Sequence, residues 1–323
     1  MNKTLFLGAV LIAMTGGSAG VNAENADILP TGKTYTVNGV SFTMITIPAV
    51  TDGTLGYGEY DVNPAHTVSL PAYRIGETEV TQELWQAVMG NNPSGFNGND
   101  EETKPAGGEE QKKRPVEMIN WYQAIAFCNK LSLKLGLEPC YTVTVKGKPI
   151  DFASLPFDKI PSEDEYMSEK DTAVKAWDAV TVDISKNGFR LPSEAEWEWA
   201  AKGGVESRWA GSDDEEEVDR YMWHDGNSEN RTHEVKKLKP NGYGLYDMSG
   251  NVWEWCWDRV KDFLPDSLVE AGVVDIDDIP DSCRVFRGGG IDIDIYNAAL
   301  PIRLFYTPDF HAGSLGLRLA CRL

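Results

Sequence analysis

The sequence has little positive charge. Among its 323 residues, 30 lysines and arginines stand against 50 aspartates and glutamates, which gives a formal net charge of −20. A surface with this excess of negative charge repels phosphates and cannot gain the counterion release that drives binding to DNA or RNA. The composition therefore excludes nucleic acid as a partner.

Histidine is scarce, and cysteine lacks the spacing of metal sites. The four histidines form no HxH or HExxH motif, and the five cysteines form no CxxC motif. Transition-metal centres depend on such spacings. We therefore expect His66, His224, His233 and His311 to be surface polar groups. An odd number of cysteines in an exported chain allows at most two disulfides and leaves one thiol over.

No apolar run is long enough to span a membrane. The run over residues 5–14 has about half of the roughly 20 residues that a span requires. Lys3 precedes it, and the small residues Val21 and Ala23 follow it, which is the pattern of a secretory signal peptide. The sequence predicts a signal peptide over residues 1–23 and an exported protein that is periplasmic, displayed on the cell surface or secreted. It is not expected to be an integral membrane protein.

The remaining sequence favours an α+β chain that is rich in loops. Hydrophobic residues make up 41%, enough for a large core. Capping residues predict helices that begin after Thr81, Asn120 and Ser193, each ended by glycine. Alternation at period two predicts strands, for example over residues 40–44 and 252–257. Two stretches, 138–186 and the acidic run 213–217, are interpreted as insertions, and the acidic run as a solvated loop rather than a cation site.

Several ordered sequence blocks carry a family resemblance. They are residues 188–201 (GFRLPSEAEWEWAA), 241–255 (NGYGLYDMSGNVWEW), 287–290 (RGGG) and 315–320 (LGLRLA). A chain with these blocks resembles the formylglycine-generating enzyme (sulfatase-modifying factor) family. The resemblance implies one domain over residues 24–323, with the C-type-lectin-like fold of that family, loop-rich and with few helices.

The resemblance does not extend to the family's catalytic residues. The active enzymes bind copper with two cysteines shortly after the RGG block, but residues 291–303 contain no cysteine. Thiolates are the ligands that hold Cu(I), and no other residue type of this segment replaces them. The related ergothioneine-pathway enzymes use a three-histidine iron site on an additional helical domain, which this sequence lacks. We therefore expect neither copper nor iron, and no formylglycine-forming activity.

The segment after the RGGG block resembles the variable region of proteins diversified by bacterial and phage retroelements. Such diversification copies template adenines wrongly, so an AAC codon cannot become a codon for Gln, Lys, Glu, Trp or Met. None of these five occurs between residues 291 and 314. They are also absent from residues 271–290, which this mechanism does not explain. The resemblance implies a variable region over about residues 291–314.

We predict that this region binds a ligand, because apolar and aromatic side chains in a loop provide binding energy at low entropic cost. The predicted binding residues are Ile291, Asp292, Ile293, Asp294, Tyr296, Asn297, Leu300, Ile302, Leu304, Phe305, Tyr306, Phe310, His311, Ala312, Gly313 and Ser314. In the alternative interpretation, the isoleucines that alternate with aspartates at the start of the segment form a half-buried strand.

A structural calcium ion is a second expectation that the family resemblance implies. The matching residues are Asp247 and Glu254, through their carboxylates, and Gly250 and Val252, through their carbonyls. Calcium takes about six to eight oxygen ligands of these types. The same residues also fit a turn followed by a core strand, and the two interpretations are compatible.

The sequence therefore favours a secreted or surface-displayed ligand-binding protein whose hypervariable C-terminal region selects an unknown protein or cell-surface ligand. Two alternatives remain open at this point: a divergent oxidase of the family, and a non-catalytic structural module of the envelope. A site that is built to vary encodes no fixed specificity, so the sequence does not identify the ligand.

Overall fold

The structure of the chain is a computed structural model that describes residues 31–57, 63–162, 172–260 and 280–323. The predicted signal peptide over residues 1–23 lies outside the described residues. Within the described ranges, no helix is both long enough and apolar enough to cross a membrane.

The described residues form four helices, and three of them begin where the capping residues predicted. The four are α1 (Gln82–Met89), α2 (Trp121–Lys134), α3 (Thr172–Asp178) and α4 (Glu194–Lys202). Thr81 accepts a hydrogen bond from the Leu84 backbone, and Asn120 and Ser193 each form a capping box with the residue three positions on. Helix α3 was not predicted, because it lies in the stretch 138–186 that shows little periodicity.

The strands form two main sheets and three two-stranded pairs. In chain order they are β1 (Gly32–Val37), β2 (Val40–Ile47), β3 (Val50–Leu55), β4 (His66–Leu70), β5 (Tyr73–Gly76), β6 (Tyr141–Thr142), β7 (Thr144–Val145), β8 (Lys148–Pro149), β9 (Thr181–Val182), β10 (Phe189–Arg190), β11 (Trp253–Arg259), β12 (Arg284–Arg287), β13 (Arg303–Tyr306), β14 (Leu315–Gly316) and β15 (Ala320–Arg322). The first sheet has the order β1-β2-β5-β15-β10 and the second β13-β12-β11-β14. The second sheet carries both ends of the segment 291–314.

The core lies between these sheets and the helices. Helix α2 buries most of its residues, and the Trp85 and Phe127 rings stack with centroids 5.0 Å apart. All five cysteines are buried free thiols, so the two disulfides that the sequence allows do not form. Burial raises the pKa of the Cys321 thiol to about 11, which keeps it protonated and unreactive.

Candidate ligand-binding face

The segment 291–314 leaves the second sheet after β12 and returns to it at β14. Residues 291–295 form turns, a short 3-10 helix follows at Tyr296–Ala298, and β13 lies in the middle of the segment. Asp294 fixes the 3-10 turn, because its Oδ1 accepts the backbone N–H groups of Tyr296 and Asn297 at 2.9 and 3.0 Å. The alternative of a half-buried strand at the start of the segment is therefore wrong.

Most of the predicted binding residues reach the surface. Asp292, Asp294 and Tyr296 are exposed. The half-buried residues are Ile293, Asn297, Ile302, Leu304, Phe305, Tyr306, Phe310, His311, Ala312 and Gly313. The Tyr306 and Phe310 rings lie with centroids 4.0 Å apart. Successive residues of β13 pack on different sides: Phe305 packs against the core cluster that contains Leu300, whereas Leu304 and Tyr306 pack against the cluster that contains Trp253. We call the solvent-exposed parts of these residues together the variable face.

Leu300 does not belong to that face. It has 0% of its surface exposed and packs in a core cluster with Trp197 and Val285. Burial of a leucine side chain is favourable by about 2 kcal/mol, which ties this position to the core. The prediction that Leu300 contacts a ligand is corrected accordingly. Ile291 and Ser314, at 4% and 7% exposed, contribute only a small area at the floor of a cleft.

This cleft, of about 230 Å³, opens between the variable face and residues far from it in sequence. Its lining residues are Phe96, Asn230, Ile291, Asp292, Ala312, Gly313 and Ser314. Phe96 and Asn230 were not predicted as site residues. The turn-forming residues around Phe96 indicate a loop, but nothing in the sequence shows that this loop meets the variable segment.

A buried polar network holds the loop that carries Phe96. The Glu117 carboxylate accepts the backbone N–H groups of Gly95 and Phe96, both at 3.0 Å. The Phe96 carbonyl accepts hydrogen bonds from the side-chain amides of Gln82 and Gln111, at 3.1 and 2.7 Å. None of these residues lies in the segment 291–314, so this wall of the cleft is independent of the variable side chains.

The scaffold holds the variable segment through the segment's backbone. Arg287 donates to the carbonyls of Leu300 and Pro301, at 2.6 and 3.3 Å. Further hydrogen bonds join scaffold atoms to the backbone of the segment. The N–H groups of Ile291 and Leu300 donate to the carbonyls of Asn251 and Arg208. Backbone carbonyls of the segment accept from Ser228 Oγ (at Ile291), Asp225 N (at Ile293), Trp209 Nε1 (at Ile295), Trp121 N (at Pro308), Met118 N (at Ala312) and Trp253 N (at Ser314). These bonds do not depend on which side chains the segment carries.

Arg287 is itself fixed by two glutamates of α4. It is 0% exposed, and its Nη1 and Nη2 atoms lie 3.0 Å from Glu194 and 2.6 Å from Glu198. Arg303 also contacts Glu194, at 2.9 Å. Glu194 and Glu198 lie four residues apart on one face of the helix, so both carboxylates point inward together. A buried guanidinium needs such partners, because an unpaired buried charge is strongly destabilising.

Glu254, one of the two carboxylates of the calcium prediction, is paired with a buried arginine. Both Glu254 oxygens accept from Arg318, at 2.7 to 2.9 Å, and one also accepts from Trp197 Nε1 at 2.6 Å. Arg318 therefore supplies the positive charge that calcium was expected to supply. Among the described residues, no group of three or more histidines, cysteines, aspartates or glutamates is arranged to hold a metal.

The other members of the predicted calcium site have separate contacts within the scaffold. Gly250 has φ +82°, and a Cβ on it would lie 2.1 Å from the Trp223 carbonyl oxygen, so only glycine fits there. The Val252 N–H donates to Glu79 at 3.2 Å. Asp247 is buried; its Oδ2 accepts the Lys236 N–H, and its Oδ1 has no hydrogen-bond partner.

Two of the four histidines are buried, which corrects the expectation that all are surface groups. The His233 ring stacks on Trp223, with centroids 3.7 Å apart, and its Nδ1 lies 2.9 Å from Glu109. His224 is 8% exposed and lies 2.8 Å from Asp219. Burial is tolerated because each ring has a polar partner, and such partners cannot be identified from spacing alone.

The geometry agrees with a known family. The family described as "Sulfatase-modifying factor enzyme 1-like domain" matches residues 29–323. The chain belongs to this family and has its α+β fold.

Within the family, the chain is similar to a variable protein of known structure. Treponema denticola variable protein 1 is 51% identical, with a TM-score of 0.78, and the match covers 91% of this chain and 100% of that one. Two curated relatives are less similar. "Chaperone protein LppX" of Paenibacillus barcinonensis is 38% identical over 208 residues, 59% of this chain. The formylglycine-generating enzyme of Streptomyces coelicolor is 36% identical over 161 residues, 45% of this chain. The chain spans 64% and 50% of their respective lengths.

Removing calcium is expected to leave the melting temperature unchanged, because Arg318 already neutralises Glu254. Glu254→Gln is expected to lower the free energy of unfolding by about 3 kcal/mol or more, since it leaves Arg318 as an uncompensated buried charge. Scanning calorimetry of the wild type with and without a calcium chelator measures the first effect, and calorimetry of the Glu254→Gln variant measures the second. A melting temperature that falls with the chelator and recovers with calcium would contradict this assignment and restore the calcium site.

Stability is expected to decrease as the pH rises from about 4 to about 7. Burial raises the pKa of Asp247 to about 6 and that of Glu117 to about 7, from ordinary values of 3.8 and 4.5. The folded state then binds protons more tightly than the unfolded state. Their stabilising contribution is complete below the ordinary values and is lost as the pH rises through the raised ones. Melting temperatures across this range, at constant ionic strength, test the sign.

Asp247→Asn is the matched variant for this pH dependence. The amide keeps an oxygen that accepts the Lys236 N–H, but it removes one titrating group. The difference in melting temperature between low and high pH should therefore become smaller. A variant with the full wild-type difference would show that Asp247 does not contribute to it.

Proposed function

We propose that this chain is a secreted or surface-displayed ligand-binding protein, in which segment 291–314 is diversified by a retroelement and selects a protein or cell-surface ligand. The observation that carries the proposal is the way the scaffold holds the segment. Apart from the Arg303–Glu194 ion pair, the bonds described above reach backbone atoms of the segment, so a change of side chain at the other positions leaves them in place. Such an attachment allows the face to vary while the fold stays constant.

The chemistry of the variable face supports binding. Tyr296 is 45% exposed, and the contact between Tyr306 and Phe310 offers two further aromatic rings at the surface. Aromatic side chains give large contact area with few rotatable bonds, which makes them frequent hot spots in interfaces. The similarity to a variable protein over most of the chain is consistent with the same use of this face.

Natural variation at this locus is expected to follow exposure. Sequencing the gene in sister isolates should show substitutions concentrated in codons 291–314, most of all at Asp292, Asp294 and Tyr296. The buried residues Arg287 and Leu300 should stay constant, since changing them disturbs the core. A nearby reverse transcriptase gene and a near-copy of this region that differs at adenines should accompany the gene. Substitutions spread evenly over the chain, with neither element nearby, would contradict diversification.

Loss of binding without loss of stability is the second expected result. The triple variant Asp294→Asn, Tyr296→Ala and Asn297→Ala should abolish binding of the fluorescently labelled chain to ligand-bearing cells, measured by flow cytometry. Each exposed change should alter the free energy of unfolding by no more than about 0.5 kcal/mol.

Leu300→Ala is the control from the same segment. It should cost about 2 to 5 kcal/mol, because it opens a cavity in the core. Wild-type binding by the triple variant would contradict the proposed function. A loss of stability in the triple variant as large as that of Leu300→Ala would show that the face is part of the core.

A further inference from the structure

The cleft beside Phe96 contains one ionisable side chain, Asp292. Asp292 is exposed, and Ser314 Oγ donates to its Oδ2 at 3.0 Å. In the described ranges, no lysine or arginine forms an ion pair with this carboxylate. Its charge is therefore available to a ligand that enters the cleft.

The surroundings of the cleft are also negative. Asp294 is exposed two residues along, and Asp225 is exposed where its N–H bonds the Ile293 carbonyl. Glu215 accepts from the Tyr296 hydroxyl at 3.1 Å, and its cationic neighbour Arg208 lies 3.3 Å from the same glutamate. Among the described residues, Arg208 is the only lysine or arginine that pairs with one of these four carboxylates, and Arg231, next to Asn230, pairs with Glu229 at 3.4 Å. The four carboxylates therefore keep an excess of negative charge, which favours an approaching cation.

Phe96 gives the cleft an apolar wall that suits an aliphatic stem. Its ring already accepts one cation, because the Arg114 guanidinium lies 5.2 Å from the ring centroid. Arg114 does not line the cleft: it is fully buried and donates to the Thr103 carbonyl at 2.6 Å and to Thr232 at 3.1 Å. A volume of about 230 Å³ lies below the range of roughly 300 to 1,000 Å³ of pockets for drug-sized molecules, so it fits a single side chain.

We propose that this cleft receives one lysine or arginine side chain of a protein partner. Asp292 pairs with the charged end of that side chain, and Phe96 packs against its methylene groups. The inference rests on the proposed function and names the chemistry of the ligand at one subsite. The subsite joins a constant wall, Phe96 and Asn230, to a floor that belongs to the variable segment.

The test uses blocked amino acids as probes and the isotopically labelled full chain. Nα-acetyl-lysine methylamide and Nα-acetyl-arginine methylamide are titrated, with the norleucine and glutamate analogues as matched neutral and acidic probes. The amide signals of Asp292, Gly313 and Ser314 are followed by nuclear magnetic resonance. The basic probes should give saturable shifts at these residues, with affinity about tenfold or more above that of the norleucine probe.

Two charge-equivalent variants then separate the cleft from the general negative field. Asp292→Asn should weaken binding of the basic probes by about tenfold or more. Asp294→Asn removes the same charge two residues away, keeps the oxygen that caps the 3-10 turn, and should change the affinity by no more than about twofold.

Three results would overturn the inference: equal affinity for the norleucine probe, tighter binding of the glutamate probe, or an equal loss in the two variants. Its failure is distinguishable from failure of the proposed function. If the basic probes do not bind but the triple variant at residues 294, 296 and 297 still loses cell binding, only the subsite is wrong. If that triple variant binds cells normally, the proposed function is wrong whatever the probes do.

Discussion

A buried guanidinium connects the scaffold of this protein to segment 291–314, which we propose to vary. Arg287 bonds Glu194 and Glu198 of α4 on one side and the carbonyls of Leu300 and Pro301 on the other. A buried charge is stable only with all of its partners in place, so these bonds fix where the segment turns back toward the sheet. Because the partners in the segment are carbonyl groups, the position is fixed without specifying the neighbouring side chains.

The other end of the segment is held by the same kind of interaction. Arg318, just after β14, is 0% exposed, pairs with Glu254 of β11 and donates to the carbonyls of Gly76 and Tyr246. It thereby links the second sheet to the first sheet, through Gly76 at the end of β5. The segment 291–314 lies between two buried arginines, and breaking the ion pairs of either one would strongly destabilise the folded state. Its loops are therefore held in position at both ends while their surface residues remain unconstrained.

The sequence predicts what depends on neighbouring residues and misses what depends on distant ones. Helices α1, α2 and α4 begin at capping residues that are visible locally. The fold followed from ordered blocks of sequence. The Phe96 wall was missed because its partner Glu117 lies 21 residues away and the variable segment much further. Calcium was expected at Glu254 from the family resemblance, and the pairing of Glu254 with Arg318 was missed because Arg318 lies 64 residues along the chain. Leu300 was assigned to the surface because the segment has no single period that separates inside from outside.

The burial of Leu300 within an otherwise exposed segment places a condition on any process that varies it. Native proteins are stable by only about 5 to 15 kcal/mol, and one large-to-small change at a buried leucine removes about 2 to 5 kcal/mol of that. Changes at Asp292 or Tyr296 remove almost none, because these exposed side chains contribute little to the core. If the segment is diversified as proposed, variants that change the exposed residues remain folded and can be selected for binding. Variants that change Leu300 lose much of their stability, whatever the change does to binding. If the cleft beside Phe96 binds a ligand as proposed, the wall at Phe96 retains part of that contact in every folded variant.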